Sequence, residues 1–139
     1  MIVKNIKFKK PNYNYNHEFL LSPTAKRVGI ALLTYVINHP SDPYITYKDL
    51  SKLCNGIPHY HLEMDEPLGE LSSLCKELGL PYISSVVYTQ ESGLPGGGFF
   101  KAFYPGVSRD KWMEIFIKCG KDVENCSKWK DLLNKIISQ

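Results

Sequence analysis

No apolar run in this 139-residue chain approaches the ~18 residues that a membrane-spanning helix requires. The opening MIVKNIKFKK also lacks the apolar stretch of a secretory signal, so a cytoplasmic location and no membrane partner are expected. Cysteine is sparse. The four are Cys54, Cys75, Cys119 and Cys126, and no two form a C-x-x-C pair, which removes the strong zinc signature. Without a secretory signal, disulfides are not expected either. No G-x-S-x-G occurs, and no G-K-[ST] follows the glycine run, so neither a serine-hydrolase elbow nor a phosphate-binding Walker loop is present. Internal repeats, low-complexity tracts and long linkers are absent as well. No cofactor or metal is expected.

What is present reads as one ordinary folded domain over residues 1–139. Hydrophobic residues make up 43% and charged residues 22%, and aromatics reach 12%, too many for a disordered chain. The net charge of +3 is mild, whereas a dedicated nucleic-acid binder is usually more basic. Yet the lysines cluster: Lys4, Lys7, Lys9 and Lys10 in the first ten residues, and Lys111, Lys118, Lys121, Lys128, Lys130 and Lys135 in the last thirty. Such runs serve equally as solvated faces or as phosphate contacts.

Hydrophobic spacing orders the chain. Ile2, Ile6 and Phe8 suit an edge strand over 2–8, and PNYNYNH at 11–17 a loop. Ser22 and Pro23 suit the start of a helix over 23–38, in which Gly29 implies close approach of another backbone. Thr46 caps a short helix over 47–54, with Asp49 in capping-box position. Leu68, Leu71, Leu74, Cys75 and Leu78 form the stripe of a third helix over 66–78, stopped by Gly79. PYISSVVY at 81–88 reads as a strand, TQESGLPGGG as a turn, and FFKAFY at 99–104 as the returning strand. Two helices follow, over 109–119 with Ser108 as cap and over 127–137. Trp112, Ile115 and Phe116 of the first are expected to face inward, as are Trp129, Leu132, Leu133, Ile136 and Ile137 of the second. The order predicts an α+β fold: a winged helix-turn-helix core over about 22–104 with a β-hairpin wing and extra N- and C-terminal helices, the C-terminal pair over about 108–137.

Four stretches bear on function. In ITYKDL, Tyr47 sits at a helix mouth, where backbone N–H groups attract phosphate and a ring stacks on a base; the alternative is a half-buried helix-start residue. In GLPGGGFFK, Gly96, Gly97 and Gly98 allow close backbone approach to an anion with Lys101 beside them, or simply form a flexible tip. In IPHYHLEMDE, His59, His61, Glu63 and Asp65 alternate near Cys54, but match no specific metal site, and a polar loop is the favoured reading. The third helix presents Glu66, Glu70, Ser72, Ser73, Lys76 and Glu77 outward. It lacks the Arg, Asn and Gln that best read base edges in the major groove.

The run Ile45 to Phe99 resembles the DNA-binding domain of the alkylguanine-DNA alkyltransferases and alkyltransferase-like proteins. Thr46-Tyr47, followed by Lys48-Asp49-Leu50, is similar to the family's Thr-Tyr-Gly helix start, whose tyrosine helps rotate a damaged nucleotide out of the duplex. Glu66-Pro67-Leu68-Gly69 stands where the family has Arg-Ala-Val-Gly. Pro81 to Ser85, leading into Val86-Val87, stands where it has Pro-Cys-His-Arg-Val-Val, and Gly93 with Gly96–Gly98 is similar to its glycine pair. The reactive cysteine, its histidine and the stack-filling arginine are missing. The resemblance therefore implies the fold and DNA binding without alkyl transfer.

The leading expectation is a DNA-binding module without chemistry of its own, in a repair, modification or restriction pathway. Its contacts would be Tyr47, Lys48, Ser72, Ser73, Lys76, Gly96, Gly97, Gly98 and Lys101. Tyr47, Tyr82 and Tyr88 would form a pocket for an unstacked or modified base. A second expectation is a protein-interaction module whose Glu66, Glu70 and Glu77 meet a basic nucleic-acid-processing protein. A third is a base-excising enzyme using Asp65 or Glu66 as acid or base.

Overall fold

Ser22 opens the first helix, α1 (Pro23–Asn38), by accepting the Ala25 N–H on its hydroxyl at 3.1 Å, with proline in the first turn where no N–H is needed. In this computed structural model the described residues are 21–60 and 63–139; the expected edge strand over 2–8, the loop at 11–17 and His61 lie outside them. After α1 come β1 (Ile45–Thr46), α2 (Tyr47–Leu53), α3 (Asp65–Glu77), a 3-10 turn (Ile83–Val86), β2 (Val87–Tyr88), α4 (Gly97–Phe103), α5 (Trp112–Asn125) and α6 (Trp129–Ile137). Among the described residues the fold is α+β, rich in helix, with one small two-stranded sheet. Among the described residues no helix is long and apolar enough to cross a membrane.

The main core gathers on α1, whose Val28, Leu32, Leu33 and Val36 are buried against α3 and α6. Gly29 faces α3, but what approaches it is a side chain rather than a backbone. A Cβ there would lie 2.8 Å from a Leu71 methyl. α3 ends as its sequence implies: Gly79 takes φ +71°, Leu80 N–H reaches the Cys75 carbonyl at 2.8 Å and Gly79 N–H that of Lys76 at 3.2 Å, a Schellman stop.

The β-arm differs from expectation. Residues 81–88 extend only at Val87–Tyr88, and that strand pairs in parallel with β1, Ile45 opposite Val87 and Thr46 opposite Tyr88. Ile83–Val86 winds into a 3-10 turn because both serines go inside. Ser84 N–H donates to Ser72 Oγ at 3.0 Å, and the two hydroxyls meet at 2.6 Å. FFKAFY is the helix α4, not a returning strand, so no β-hairpin forms over 81–104. Its rings at positions 99, 100, 103 and 104 fit one helical face as well as a strand, and tertiary packing decides. Phe100 stacks flat on Trp112 at 4.2 Å, and Phe99 and Phe103 meet Tyr82 at 5.9 and 4.5 Å, forming a second core with Cys119.

The terminal helices are also shifted. Ser108 heads a 3-10 turn at Arg109–Lys111, and α5 begins at Trp112 and runs on to Asn125. Its buried positions are Cys119, Gly120 and Val123, with Trp112, Ile115 and Phe116 half-buried. Trp129, Leu132 and Ile136 of α6 face inward and Leu133 is half-buried, but Ile137 is 52% exposed.

Candidate functional site

The parallel pairing of β1 with β2 brings the start of α2 beside the connection that follows Tyr88. Tyr47 is the first residue of α2, and Thr46 caps it by accepting the Asp49 N–H at 3.1 Å. The Tyr47 ring is buried, only 8% exposed, and its hydroxyl accepts the Gly96 N–H at 2.9 Å. Burial, the largest cause, and the nearby Asp65 carboxylate push its pKa up to about 12 against the lowering effect of the Gly96 N–H, so the phenol keeps its proton. Asp65 stands at the start of α3. A Cβ on Gly96 would sit 3.0 Å from the Tyr47 hydroxyl, a tight approach, whereas one on Gly98 would meet an Asp65 oxygen at an ordinary 3.6 Å.

Around this contact opens a cleft of about 480 Å³ lined by Thr46, Tyr47, Lys48, Tyr60, Asp65, Thr89, Gln90, Glu91 and Gly96. Lys48 supplies its positive charge, Asp65 and Glu91 its negative charges, and Tyr60, 38% exposed, its accessible ring. Of the residues singled out in the sequence, Thr46, Tyr47, Lys48, Gly96 and Asp65 line it. Tyr60, Thr89, Gln90 and Glu91 escaped sequence reasoning. Nothing in their local pattern marks them, because only the parallel register carries residues 89–91 to the mouth of α2.

The other expected DNA contacts scatter. Ser72 is fully buried and bonded to Ser84, so it meets no ligand. Ser73 is half-buried and Lys76 is exposed eleven residues along α3 from Asp65, ~16 Å away by helical rise. Gly97 faces the Trp112 ring, Gly98 is exposed beside Asp65, and Lys101 is exposed on α4 outside the cleft. The three tyrosines expected to share one base pocket do not meet there. Tyr82 packs with Phe99, Phe103 and Tyr104 in the second core, and half-buried Tyr88 is not among the cleft residues. Of the three glutamates, Glu70 is spent internally, accepting from Ser22 N–H at 2.8 Å and from its hydroxyl at 3.0 Å. Glu66 is exposed and Glu77 half-buried.

Among the described residues no three His, Cys, Asp or Glu groups converge on a metal position. His59 donates its backbone N–H to the Glu63 carboxylate at 2.8 Å and stacks its ring on Tyr60. All four cysteines are thiols. Cys75 is buried, which pushes its pKa up to about 12, and burial also raises Cys54 and Cys119, the last lying 3.2 Å from the Tyr104 hydroxyl.

No known protein family matches the chain, and neither curated proteins nor solved structures give a match.

Proposed function

We propose that this protein is a DNA-binding module without chemistry of its own, similar to the alkyltransferase-like proteins, and that it holds an unstacked base at the Tyr47 cleft. α1, α2 and α3 form its helix-turn-helix core. The glycine stretch and α4 take the place next to Tyr47 that a hairpin wing would have taken. The observation that carries the reading is the 2.9 Å contact between the Tyr47 hydroxyl and the Gly96 N–H. It joins the two stretches whose residues resemble that family, the Thr46-Tyr47 helix start and the glycine run.

The roles differ from those of a stacking tyrosine. Tyr47 organises the cleft, Tyr60 offers the ring, and Gln90, Asp65 and Thr89 offer hydrogen-bonding groups. Lys48 and Lys101 grip the backbone. The sequence's net positive charge lies in the N-terminal segment. Seventeen cations less Lys4, Lys7, Lys9 and Lys10, and fourteen carboxylates less Glu18, leave thirteen of each in residues 21–139, so the whole excess belongs to residues 1–20.

A salt-titrated shift assay on duplex, mismatched and single-stranded DNA tests the proposal. Affinity falls with salt, with a slope set by the phosphates engaged, and the mismatched duplex binds better than the matched one because its base leaves the stack more cheaply. Lys48→Glu with Lys101→Glu weakens binding. No binding to any of the three overturns the reading.

A further inference from the structure

α1 buries one side against α3 and α6, and another side borders a groove of about 480 Å³. Ile30, Ala31, Thr34 and Tyr35 of α1 line one wall, and Leu53 of α2 lines the other. The groove extends from Arg27 to His39, a rise of ~18 Å along α1. Tyr35 is a fixed wall: its ring stacks on His39 at 4.0 Å, and its hydroxyl donates to the Tyr44 carbonyl at 3.2 Å. Leu53 is 52% exposed and Ile57, which follows α2, is 63% exposed. Two large apolar side chains left in water beside an apolar groove mark a face suited to a protein partner.

The charges on this face are divided between its ends. Arg27 stands at one end, where its guanidinium donates to the Ile57 carbonyl at 3.3 Å. Carboxylates stand at the other. Asp42 follows α1, its N–H bonded to the His39 carbonyl at 3.1 Å, and Asp49 lies one turn before Leu53 on the same side of α2. Burial above all, with Asp42 and Asp49 among the further causes, raises the Tyr35 pKa, so both carboxylates lie near that phenol. Arg27, Asp42 and Asp49 are all exposed.

Such a face is its own complement. A wholly acidic or wholly basic partner would be drawn to one end and repelled by the other. A two-fold axis through the groove turns the face end for end. It sets Arg27 of each copy against Asp49 of the other. It also sets Leu53 of each copy against Ala31 and Thr34 of the other, short side chains that leave room for it. We infer that this protein forms a two-fold symmetric dimer in which the α1–α2 groove of one copy packs on the same groove of a second copy. The inference does not depend on the DNA-binding reading.

Sedimentation velocity of the full chain from ~1 to ~200 μM tests it, because a face two helices wide lies at the small end of specific interfaces and dissociates in that range. The parent shifts from monomer to dimer as its concentration rises. Leu53→Glu, a change at an exposed position, sediments as a monomer throughout and melts like the parent. Arg27→Asp and Asp49→Arg are each monomeric alone, since each sets like charges against one another across the two-fold. Mixed in equal amounts they pair with each other. The carboxylate introduced in one copy then faces the guanidinium introduced in the other, and one native pair is kept. A change that merely disturbed the fold would not be rescued by mixing. The proposal is overturned by a parent that stays monomeric, which leaves the face to another occupant. It is equally overturned by a dimer that survives Leu53→Glu, or by charge variants that associate no better mixed than apart.

Discussion

Tyr47 and Gly96, 49 residues apart, are joined by a hydrogen bond of 2.9 Å from the glycine N–H to the phenolic oxygen. The bond ties the start of α2 to the N-cap of α4. Tyr47→Phe keeps the ring's packing but leaves that partly buried N–H without its acceptor, at a cost of ~1–2 kcal/mol. It also has a pH signature. The unfolded phenol ionises near 10 and the folded one at about 12. Its contribution is therefore complete below pH ~10 and is lost as pH rises through that window. Denaturant titrations between pH 9 and about 12 check both points. The variant is less stable than the parent at pH 9, and the gap narrows as pH rises.

The helices were legible because their signals are local. Ser22-Pro23, Thr46 with Asp49, and Gly79 after the leucine stripe each mark an end within one turn, and α1, α2 and α3 fall where those residues put them. The β-arm was misread because its signals are ambiguous. Aromatics at 99, 100, 103 and 104 satisfy a strand's propensity and a helix's face alike, and only the Trp112 ring across from Phe100 settles which. The cleft was half legible for the same kind of reason. Tyr47 and Gly96 carry local peculiarities, a helix mouth and a glycine run. Gln90 and Glu91 are ordinary turn residues until the pairing of Thr46 with Tyr88 places them.

Ser72 separates a structural role from a binding one. It looked like an outward residue of the third helix, yet it is fully buried and accepts the Ser84 N–H at 3.0 Å. Ser72→Ala leaves that N–H and the Ser84 hydroxyl short of a partner and destabilises the fold by ~1–3 kcal/mol. Under the proposed DNA-binding function, the variant's DNA affinity equals that of the parent at temperatures where it stays folded. Thermal melts and the shift assay together check this, and a loss of affinity without a loss of stability would return Ser72 to the binding surface.

Gly120 of α5 lies against Tyr44, in the segment before β1. A Cβ there would collide with the Tyr44 ring and hydroxyl. That ring is held by an edge contact to Phe116 at 5.5 Å and by its hydroxyl's bond to Glu124 at 3.4 Å, so it has little freedom to yield. Gly120→Ala costs ~1–3 kcal/mol through overpacking. Adding Tyr44→Ala removes the colliding ring, so the double variant is more stable than the sum of the two single changes predicts. Chemical denaturation of the four proteins measures the coupling.

Glu70 decides between an acidic docking face and an internal brace. Its carboxylate takes both the N–H and the hydroxyl of Ser22, the residue that caps α1. A contact so placed steadies the N-terminus of the central helix from the side of α3. Glu70→Ala leaves Ser22's N–H to water and loosens the cap, at a cost of ~1 kcal/mol, the usual worth of a capping group. Glu66→Ala removes an exposed carboxylate at the start of α3 and changes stability by no more than ~0.5 kcal/mol. Equal melting temperatures for the two variants would show that the Ser22 contact contributes nothing, and would leave Glu70 available to a basic partner. A clear drop for Glu70→Ala alone fixes it as part of the scaffold, and leaves Asp65, Glu66 and Glu77 as the carboxylates of α3 open to a basic partner.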